Sequence, residues 1–166
     1  MQSVFDFFSF LGKEGALFIV SMIPLIELRG SIILGATMNM PWFTVLLISL
    51  LGNILPVPFI ILFGRKIITW LKKVPLFSKI ATKLEKKLML KSEKVVKYET
   101  FGLCIFVAIP LPGTGAWTGA AIAALLDLRI SRALPAISLG VLIAGIIMTL
   151  LSYVVVGAVT LLQAFV

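Results

Sequence analysis

The sequence predicts an all-α integral membrane protein. Of its 166 residues, 60% are hydrophobic and 13% are charged, whereas soluble domains average about 25% charged residues. The mean hydropathy is +1.15, and a soluble domain of this size could not bury so much apolar surface. Charge-free runs cover residues 30–64, 100–126 and 133–166, and each exceeds the roughly 20 residues that a membrane-spanning helix needs.

The positive charge is concentrated in one segment. Fifteen Lys and Arg oppose seven Asp and Glu, and eleven of the fifteen lie in residues 65–97. Basic loops stay on the cytoplasmic side of a membrane, so this segment and the Arg129 loop are expected inside, and the uncharged Asn39 loop outside. Because the segment lies between membrane segments and has few aromatic residues for stacking bases, we expect contact with membrane lipids and no nucleic acid.

The sequence also limits the possible chemistry. It contains no His and a single cysteine, Cys104, which excludes a His-based triad, a His metal site and an intrachain disulfide. No nucleophile, base and metal constellation is visible, so we expect neither an enzyme nor a cofactor.

The first membrane half is predicted at residues 1–64. Two short apolar segments on either side of Pro24 form a hairpin, at about residues 5–38, and Gly12-Lys-Glu-Gly15 interrupts the first of them. Each has about 16 residues or fewer, which at helical rise is about 24 Å, short of a full span. Pro41 then begins a transmembrane helix at about residues 42–63, since proline is tolerated at a helix start.

Residues 65–99 are predicted to form a basic amphipathic linker helix on the cytoplasmic surface. Apolar residues recur there at a spacing near 3.6, and lysines occupy the remaining faces. The apolar positions are Phe77, Ile80, Leu84, Leu88 and Val95.

The second membrane half is predicted at residues 100–166. A hairpin at about residues 101–126 is interrupted by the sequence Pro110-Leu-Pro-Gly113. Residues 133–166 are too long for one upright helix, and Pro135 allows either a bend or a break into two pieces.

The two halves resemble each other in layout. Ile23-Pro24-Leu25 recurs as Ile109-Pro110-Leu111 at an offset of 86 residues, and Gly52 matches Gly140 at an offset of 88. If both basic segments lie inside, the halves are inverted repeats, each a Pro-broken re-entrant hairpin plus a long helix, as in many secondary transporters. The alternative is a bundle of four to six kinked ordinary spans.

The first hairpin tip carries the strongest candidates for function. Glu27 and Arg29 are the only charged residues between Gly15 and Gly64, and Gly30 follows them directly. A charge deep in a bilayer costs about 2.5–3.5 kcal/mol and therefore usually faces a partner or a cavity. We expect substrate binding at this tip and proton coupling through Glu27. A structural ion pair, or a pair reaching to the interface, is the alternative.

The second tip is the other candidate part of the substrate site. Its glycines permit positive φ, and successive backbone amides at a helix start form an anion-binding concavity. Threonine hydroxyls and an aromatic wall would complete it, whereas close helix packing through small residues is the alternative. The predicted binding residues of this tip are Pro112, Gly113, Thr114, Gly115, Trp117 and Thr118.

The sequence resembles the small multidrug export protein family over nearly its whole length. The two tips carry the most specific part of this resemblance. The layout is also similar to the DedA/VTT superfamily, which implies two facing re-entrant hairpins and the movement of lipids such as undecaprenyl phosphate. In that pattern a proline-rich tip ends in an acid, matched by Glu27, and the second hairpin has Pro-Gly at its tip, matched by Pro112-Gly113. The superfamily's arginines around the second tip are absent, since Ala108 and Ala116 stand nearby.

The resemblance implies a multi-pass transporter of the bacterial inner membrane. The expected substrate is an amphipathic anionic lipid such as a polyprenyl phosphate, held between the two tips, with protons or another coupling ion. The rivals are a proton-coupled exporter of drug-like lipophilic cations and a membrane scaffold without transport. A short chain with two hairpins leaves helix faces uncovered, so we expect a homo-oligomer, a dimer being the simplest.

The topology can be tested by cysteine labelling. The variants Asn39→Cys and Ser92→Cys, each in a background where Cys104 is replaced, should differ in their reaction with an impermeant thiol reagent in intact cells. Because the basic segment is expected inside, Asn39→Cys should be labelled directly, and Ser92→Cys should be labelled only after permeabilisation. The reverse pattern would invert the predicted orientation.

Overall fold

The computed structural model describes residues 2–73, 75–96, 99–111 and 113–164, and within these ranges all regular structure is helical. The helices are α1 (Gln2–Met22), α2 (Glu27–Thr37), α3 (Trp42–Ile54), α4 (Val57–Lys73), α5 (Pro75–Val96), α6 (Glu99–Ala108), α7 (Ala116–Leu125) and α8 (Ile130–Ala164). The all-α prediction is therefore confirmed over the described residues.

The chain divides into two compact units by packing. Unit 1 comprises Met1–Leu55 with Leu142–Val166, and unit 2 comprises Pro56–Val141. In unit 1, α1, α2 and α3 pack against one another, and in unit 2, α4 packs against α5 and α7. The three predicted segments divide the chain by membrane topology, and the packing units do not test that division.

Two helical stretches in the described part of the chain are long and apolar enough to cross a membrane: Trp42–Gly64 and Ile130–Ala158. The first contains a turn at residues 55–56 between α3 and α4, where Pro56 cannot donate a backbone hydrogen bond. The second lies in α8, which is one continuous helix with Pro135 inside it. Of the two possibilities left open for residues 133–166, a break into two helices is therefore excluded.

The short helices have lengths unlike those of ordinary spans. α2 has 11 residues, and α6 and α7 have 10 each, so each extends only about 15–17 Å. The hydrocarbon core of a bilayer is about 30 Å thick. None of these three helices can cross it alone. α1 is kinked at Gly12, whose φ is 68°, within the interruption that the sequence predicts.

The basic segment falls in two helices of the described part: α4 continues to Lys73, and Pro75 begins α5, where proline suits the first turn of a helix. Residue 74 lies outside the described residues, so a single linker helix over residues 65–99 stays a prediction. Among the described side chains of α5, Ala81 and Leu88 are buried, whereas Ile80 and Leu84 are exposed. The side chains of Phe77 and Val95 lie outside the described part.

The same turn closes α2 and α7. After α2, Asn39 has φ of 53°, and Met40 N–H donates to Gly35 O at 3.1 Å. After α7, Asp127 has φ of 52°, and Leu128 N–H donates to Ala123 O at 3.0 Å. Both turns are Schellman motifs, in which a left-handed residue ends the helix. They lie 88 residues apart, and a long helix follows each of them.

Close glycine contacts also recur at these offsets. A methyl group on Gly52 of α3 would lie 2.6 Å from the Phe18 carbonyl oxygen of α1. A methyl group on Gly140 of α8 would lie 2.7 Å from the Cys104 carbonyl oxygen of α6. Each glycine thus lets a long helix approach the backbone of the first hairpin helix in its unit.

Alanine at these glycines should destabilise the protein. In Gly52→Ala and Gly140→Ala the added methyl meets backbone that cannot rotate away, so we expect a loss of about 1–3 kcal/mol in the free energy of unfolding. Unfolding in detergent measures it. Gly157→Ala is the matched control on α8, because nothing lies within 4 Å of the added methyl and alanine favours the helix. Equal stabilities for all three variants would contradict the close-packing argument.

Candidate functional site

The first tip is a tight turn between α1 and α2. α1 ends at Met22, and the Glu27 N–H donates to the Ile23 carbonyl oxygen at 2.9 Å. The Ile26 N–H donates to the same oxygen at 3.2 Å. Leu25, at the apex, is 97% exposed. The turn therefore closes on the Ile23 carbonyl oxygen and places Glu27 at the first position of α2.

Glu27 has an unusual combination of backbone conformation and burial. Its φ is 51°, in the left-handed region, and its side chain is only 7% exposed. That conformation costs a residue with a Cβ about 1–2 kcal/mol. Eighty-six residues later in the sequence, the second tip has Gly113 with φ of 79°, and glycine adopts this region freely. Strained backbone of this kind is concentrated at functional sites, which supports Glu27 as a functional residue.

Arg29 is more accessible than Glu27. Its side chain is half-buried, and its guanidinium interacts electrostatically with the Glu27 carboxylate. The predicted acid and base thus lie close enough for their charges to interact, although they are only two residues apart on α2. Gly30 is packed against Ile26, whose side chain occupies the space that a Cβ would need. The accessible charge of this tip is the positive one.

The second tip is held closed by Thr114. Its hydroxyl lies 2.7 Å from the Ile109 carbonyl oxygen and 2.8 Å from that of Leu111. The Thr114 N–H also donates to Leu111 O, at 3.2 Å. Of the amides predicted to bind an anion, that of Thr114 is thus already used within the tip. The structure gives Thr114 a positioning role in the loop.

The remaining predicted residues lie around the start of α7. Gly115 is the buried N-cap residue, and the side chains of Trp117 and Thr118 are half-buried. Gly113 is exposed at the apex, and Pro112 lies outside the described residues. Gly119, one turn further along, packs closely: a methyl group there would lie 2.6 Å from the Val107 side chain.

Sequence reasoning missed three buried serines in unit 1. Ser21, Ser31 and Ser49 are fully buried at 0% exposure, and Asn53, which the sequence marks as a candidate buried amide, is 2% exposed. The available signal was spacing, because Ser49 and Asn53 are four residues apart and lie on one face of α3. Single serines in apolar runs are otherwise common and do not by themselves indicate a site.

Unit 1 also contains an apolar cavity of about 420 Å³, within the size range of ligand pockets. On its wall the Tyr153 hydroxyl donates to the Met40 carbonyl oxygen at 2.6 Å, and the pocket is open on the side where Trp42, Leu150 and Val154 are exposed. Thr149 is the other polar group on the wall, and its buried hydroxyl oxygen has no hydrogen-bond partner in the described part of the chain. The lining carries no charge and consists of Trp42, Leu46, Ile146, Thr149, Leu150, Tyr153 and Val154.

The sequence profile of one protein family matches most of the chain. The profile described as "Putative small multi-drug export protein" matches residues 27–147, from Glu27 in the first tip through the second tip and into α8. The chain belongs to this family. No curated protein and no solved structure matches the chain. For a member of the small multi-drug export family with two membrane-capable helices, a membrane location and a transporter-type role follow.

The backbone strain at Glu27 predicts an inverted stability order. At ordinary helix positions glycine is about 1 kcal/mol less stable than alanine, but at Glu27 the positive φ penalises alanine and spares glycine. We therefore expect Glu27→Gly to be more stable than Glu27→Ala by about 1 kcal/mol in detergent unfolding.

The exposed position Ile33, inside α2, provides the control pair for this measurement. There Ile33→Ala should be more stable than Ile33→Gly. A Glu27→Gly variant no more stable than Glu27→Ala would show that the left-handed conformation is not retained in solution.

Proposed function

We propose that the protein transports an amphipathic anionic lipid, such as a polyprenyl phosphate, across the bacterial cytoplasmic membrane. The observation that carries this proposal is the difference in accessibility between the two charges of the first tip. Glu27 is 7% exposed, whereas Arg29 is half-buried. An approaching headgroup meets the guanidinium first, and a guanidinium binds phosphate with two parallel hydrogen bonds.

The apolar cavity supports an amphipathic substrate. It lies in the same unit as Arg29, has a volume of about 420 Å³ and carries no charged side chain on its wall. A hydrocarbon chain is compatible with such a lining, because dispersion contacts with apolar side chains replace those that it makes with lipid. In this proposal Arg29 binds the headgroup, and the cavity holds part of the hydrocarbon chain of the lipid.

Glu27 is proposed as the proton-coupling group. A buried carboxylate in an apolar setting is expensive when charged, and its interaction with the neighbouring guanidinium offsets part of that expense. Binding of an anionic headgroup by Arg29 would weaken this compensation and favour protonation of Glu27. Substrate binding and proton uptake would then be linked through one pair of residues.

The proposed topology has two inverted halves with re-entrant hairpins and a cytoplasmic basic segment. The short lengths of α2, α6 and α7 support hairpins that enter the membrane and return. The Schellman turn and the close glycine contact both recur 88 residues later in the sequence. This recurrence supports two structural repeats. The basic residues of α4 and α5 support a cytoplasmic position. Participation of the second tip in substrate binding stays a prediction.

The family's description favours a second candidate, export of lipophilic cations. In that case Glu27 would bind the drug or a proton alternately, and Arg29 would oppose substrate binding. The two candidates therefore predict opposite effects of removing the positive charge at the first tip.

Substitution of Arg29 separates the two candidates. For a phosphate headgroup, Arg29→Ala removes a charge-assisted interaction of about 1.5–3 kcal/mol, which corresponds to about 10- to 150-fold weaker binding. Arg29→Lys keeps the charge without the planar fork and should weaken binding less. The measurement is binding of a polyprenyl phosphate and of a quaternary ammonium dye to the three proteins. Tighter dye binding by Arg29→Ala, with no lipid-phosphate binding by any form, would overturn the lipid proposal.

A further inference from the structure

Four of the buried polar residues of unit 1 lie on its first three helices and are here called the serine–asparagine cluster: Ser21 on α1, Ser31 on α2, and Ser49 and Asn53 on α3. None is more than 2% exposed. Buried polar side chains between apolar helices are commonly explained as interhelical hydrogen bonds that fix the packing. That explanation can be tested within this chain, because unit 2 contains helices with corresponding contacts.

The corresponding positions in unit 2 are apolar. The counterpart of a residue of α1 lies 86 residues later in the sequence, and that of a residue of α2 or α3 lies 88 residues later. The same two offsets relate the close glycine contacts of the two units. A methyl group on Gly119 would lie 3.7 Å from both Leu103 and Ile137, just as Ser31 contacts Leu17 and Ser49. Packing of this kind therefore does not require polar groups. The counterparts of Ser21, Ser31, Ser49 and Asn53 are Val107, Gly119, Ile137 and Val141.

The hydroxyl hydrogens of the cluster are all engaged. Ser21 donates to the Phe18 carbonyl oxygen at 2.7 Å, and Ser31 donates to the Leu17 carbonyl oxygen at 2.9 Å. The Ser31 and Ser49 oxygens are 2.7 Å apart. Because a hydroxyl has one hydrogen and that of Ser31 is used, Ser49 must be the donor in this bond. What the three serines have left to offer is oxygen lone pairs.

Asn53 contributes a further oxygen without a partner. Its buried Oδ1 accepts no hydrogen bond in the described part of the chain. Ser49, Gly52 and Asn53 share one face of α3, and the Ser21 oxygen lies directly against Gly52. Ser31 is bonded to Ser49 on that same face. The oxygens of the cluster are therefore gathered along about one turn of α3.

We propose that the serine–asparagine cluster binds a monovalent alkali cation. Hard cations take oxygen ligands from side chains and backbone carbonyls, and broken-helix transporters place coupling ions at such groups. The cluster offers neutral oxygens, which suit a monovalent cation better than a divalent one. Glu27, one turn before Ser31 on α2, already interacts electrostatically with Arg29, and the ion site consists of the neutral oxygens alone. It stands whichever substrate the protein carries.

The test is the ion dependence of thermal unfolding in detergent, with NaCl, KCl and choline chloride compared at equal ionic strength. A cation that binds only the folded state stabilises it by RT ln(1 + [L]/Kd). At ten times the dissociation constant, a rise of about 3–6 °C in Tm is expected for a chain of this size. Above the dissociation constant, Tm should keep rising with the logarithm of the NaCl or KCl concentration, and choline chloride should not raise it.

Two variants copy the residues of unit 2 into the cluster: Asn53→Val, as at Val141, and Ser49→Ile, as at Ile137. Both should fold and lose the response to alkali cations. The matched control is Thr149→Val, which removes another buried oxygen without a partner from outside the cluster and should keep the response. The response is measured without any lipid or drug substrate, so failure of the lipid proposal would leave this result intact.

Direct binding keeps the proposal falsifiable if a variant does not fold. Wild-type protein should retain radioactive sodium in a scintillation proximity assay, with displacement by unlabelled NaCl and none by choline chloride. Equal Tm values in all three salts with no sodium retention would overturn the proposal, and the cluster would then only fix helix packing. An Asn53→Val variant that keeps the full cation response would overturn the assignment to these residues.

Discussion

The structure depends on one constraint: a helix that stops inside an apolar environment must satisfy the backbone groups exposed at its end. α1 and α6 both stop at a proline-containing tip, and each tip closes on its own carbonyl oxygens. At the first, Ile23 O accepts two backbone amides. At the second, the Thr114 hydroxyl lies within hydrogen-bonding distance of the carbonyl oxygens of Ile109 and Leu111 and can donate its one hydrogen to either. The proposed re-entrant hairpins would require tips closed in this way.

The same constraint explains the character of the two tips. The first uses a backbone turn and places a buried, strained glutamate at its exit, whereas the second uses glycine at the left-handed position and a threonine side chain to close the loop. A glycine at position 27 would satisfy the backbone without strain. The presence of a carboxylate there is therefore better explained by what its charge does than by what the turn requires. This reasoning connects local conformation to the proposed coupling role.

The comparison between the two units also distinguishes residues needed for packing from residues proposed for function. Close contacts at Gly52 and Gly140 serve the same purpose, the approach of a long helix to a hairpin helix. The residues around them differ in polarity: unit 1 has serines and an asparagine where unit 2 has apolar side chains and a glycine. Unit 2 packs the corresponding helices without polar side chains at these positions. Packing alone therefore does not explain why unit 1 buries polar side chains there. The asymmetry supports the proposed cation site in unit 1.

The sequence by itself determined the membrane class, the long apolar stretches, the proline breaks and the isolation of Glu27 and Arg29, because these follow from composition and from the chemistry of single residues. Gly12 and Pro24 mark interruptions that the structure contains. Only the tertiary structure decided the φ of Glu27, the continuity of α8 through Pro135 and the hydrogen bonds that engage the serines. Each depends on what a segment packs against, and packing partners far apart in the chain are not encoded in local spacing. The hydrogen bond between Ser31 and Ser49 shows this most directly, since neither serine differs in sequence from one that merely faces lipid.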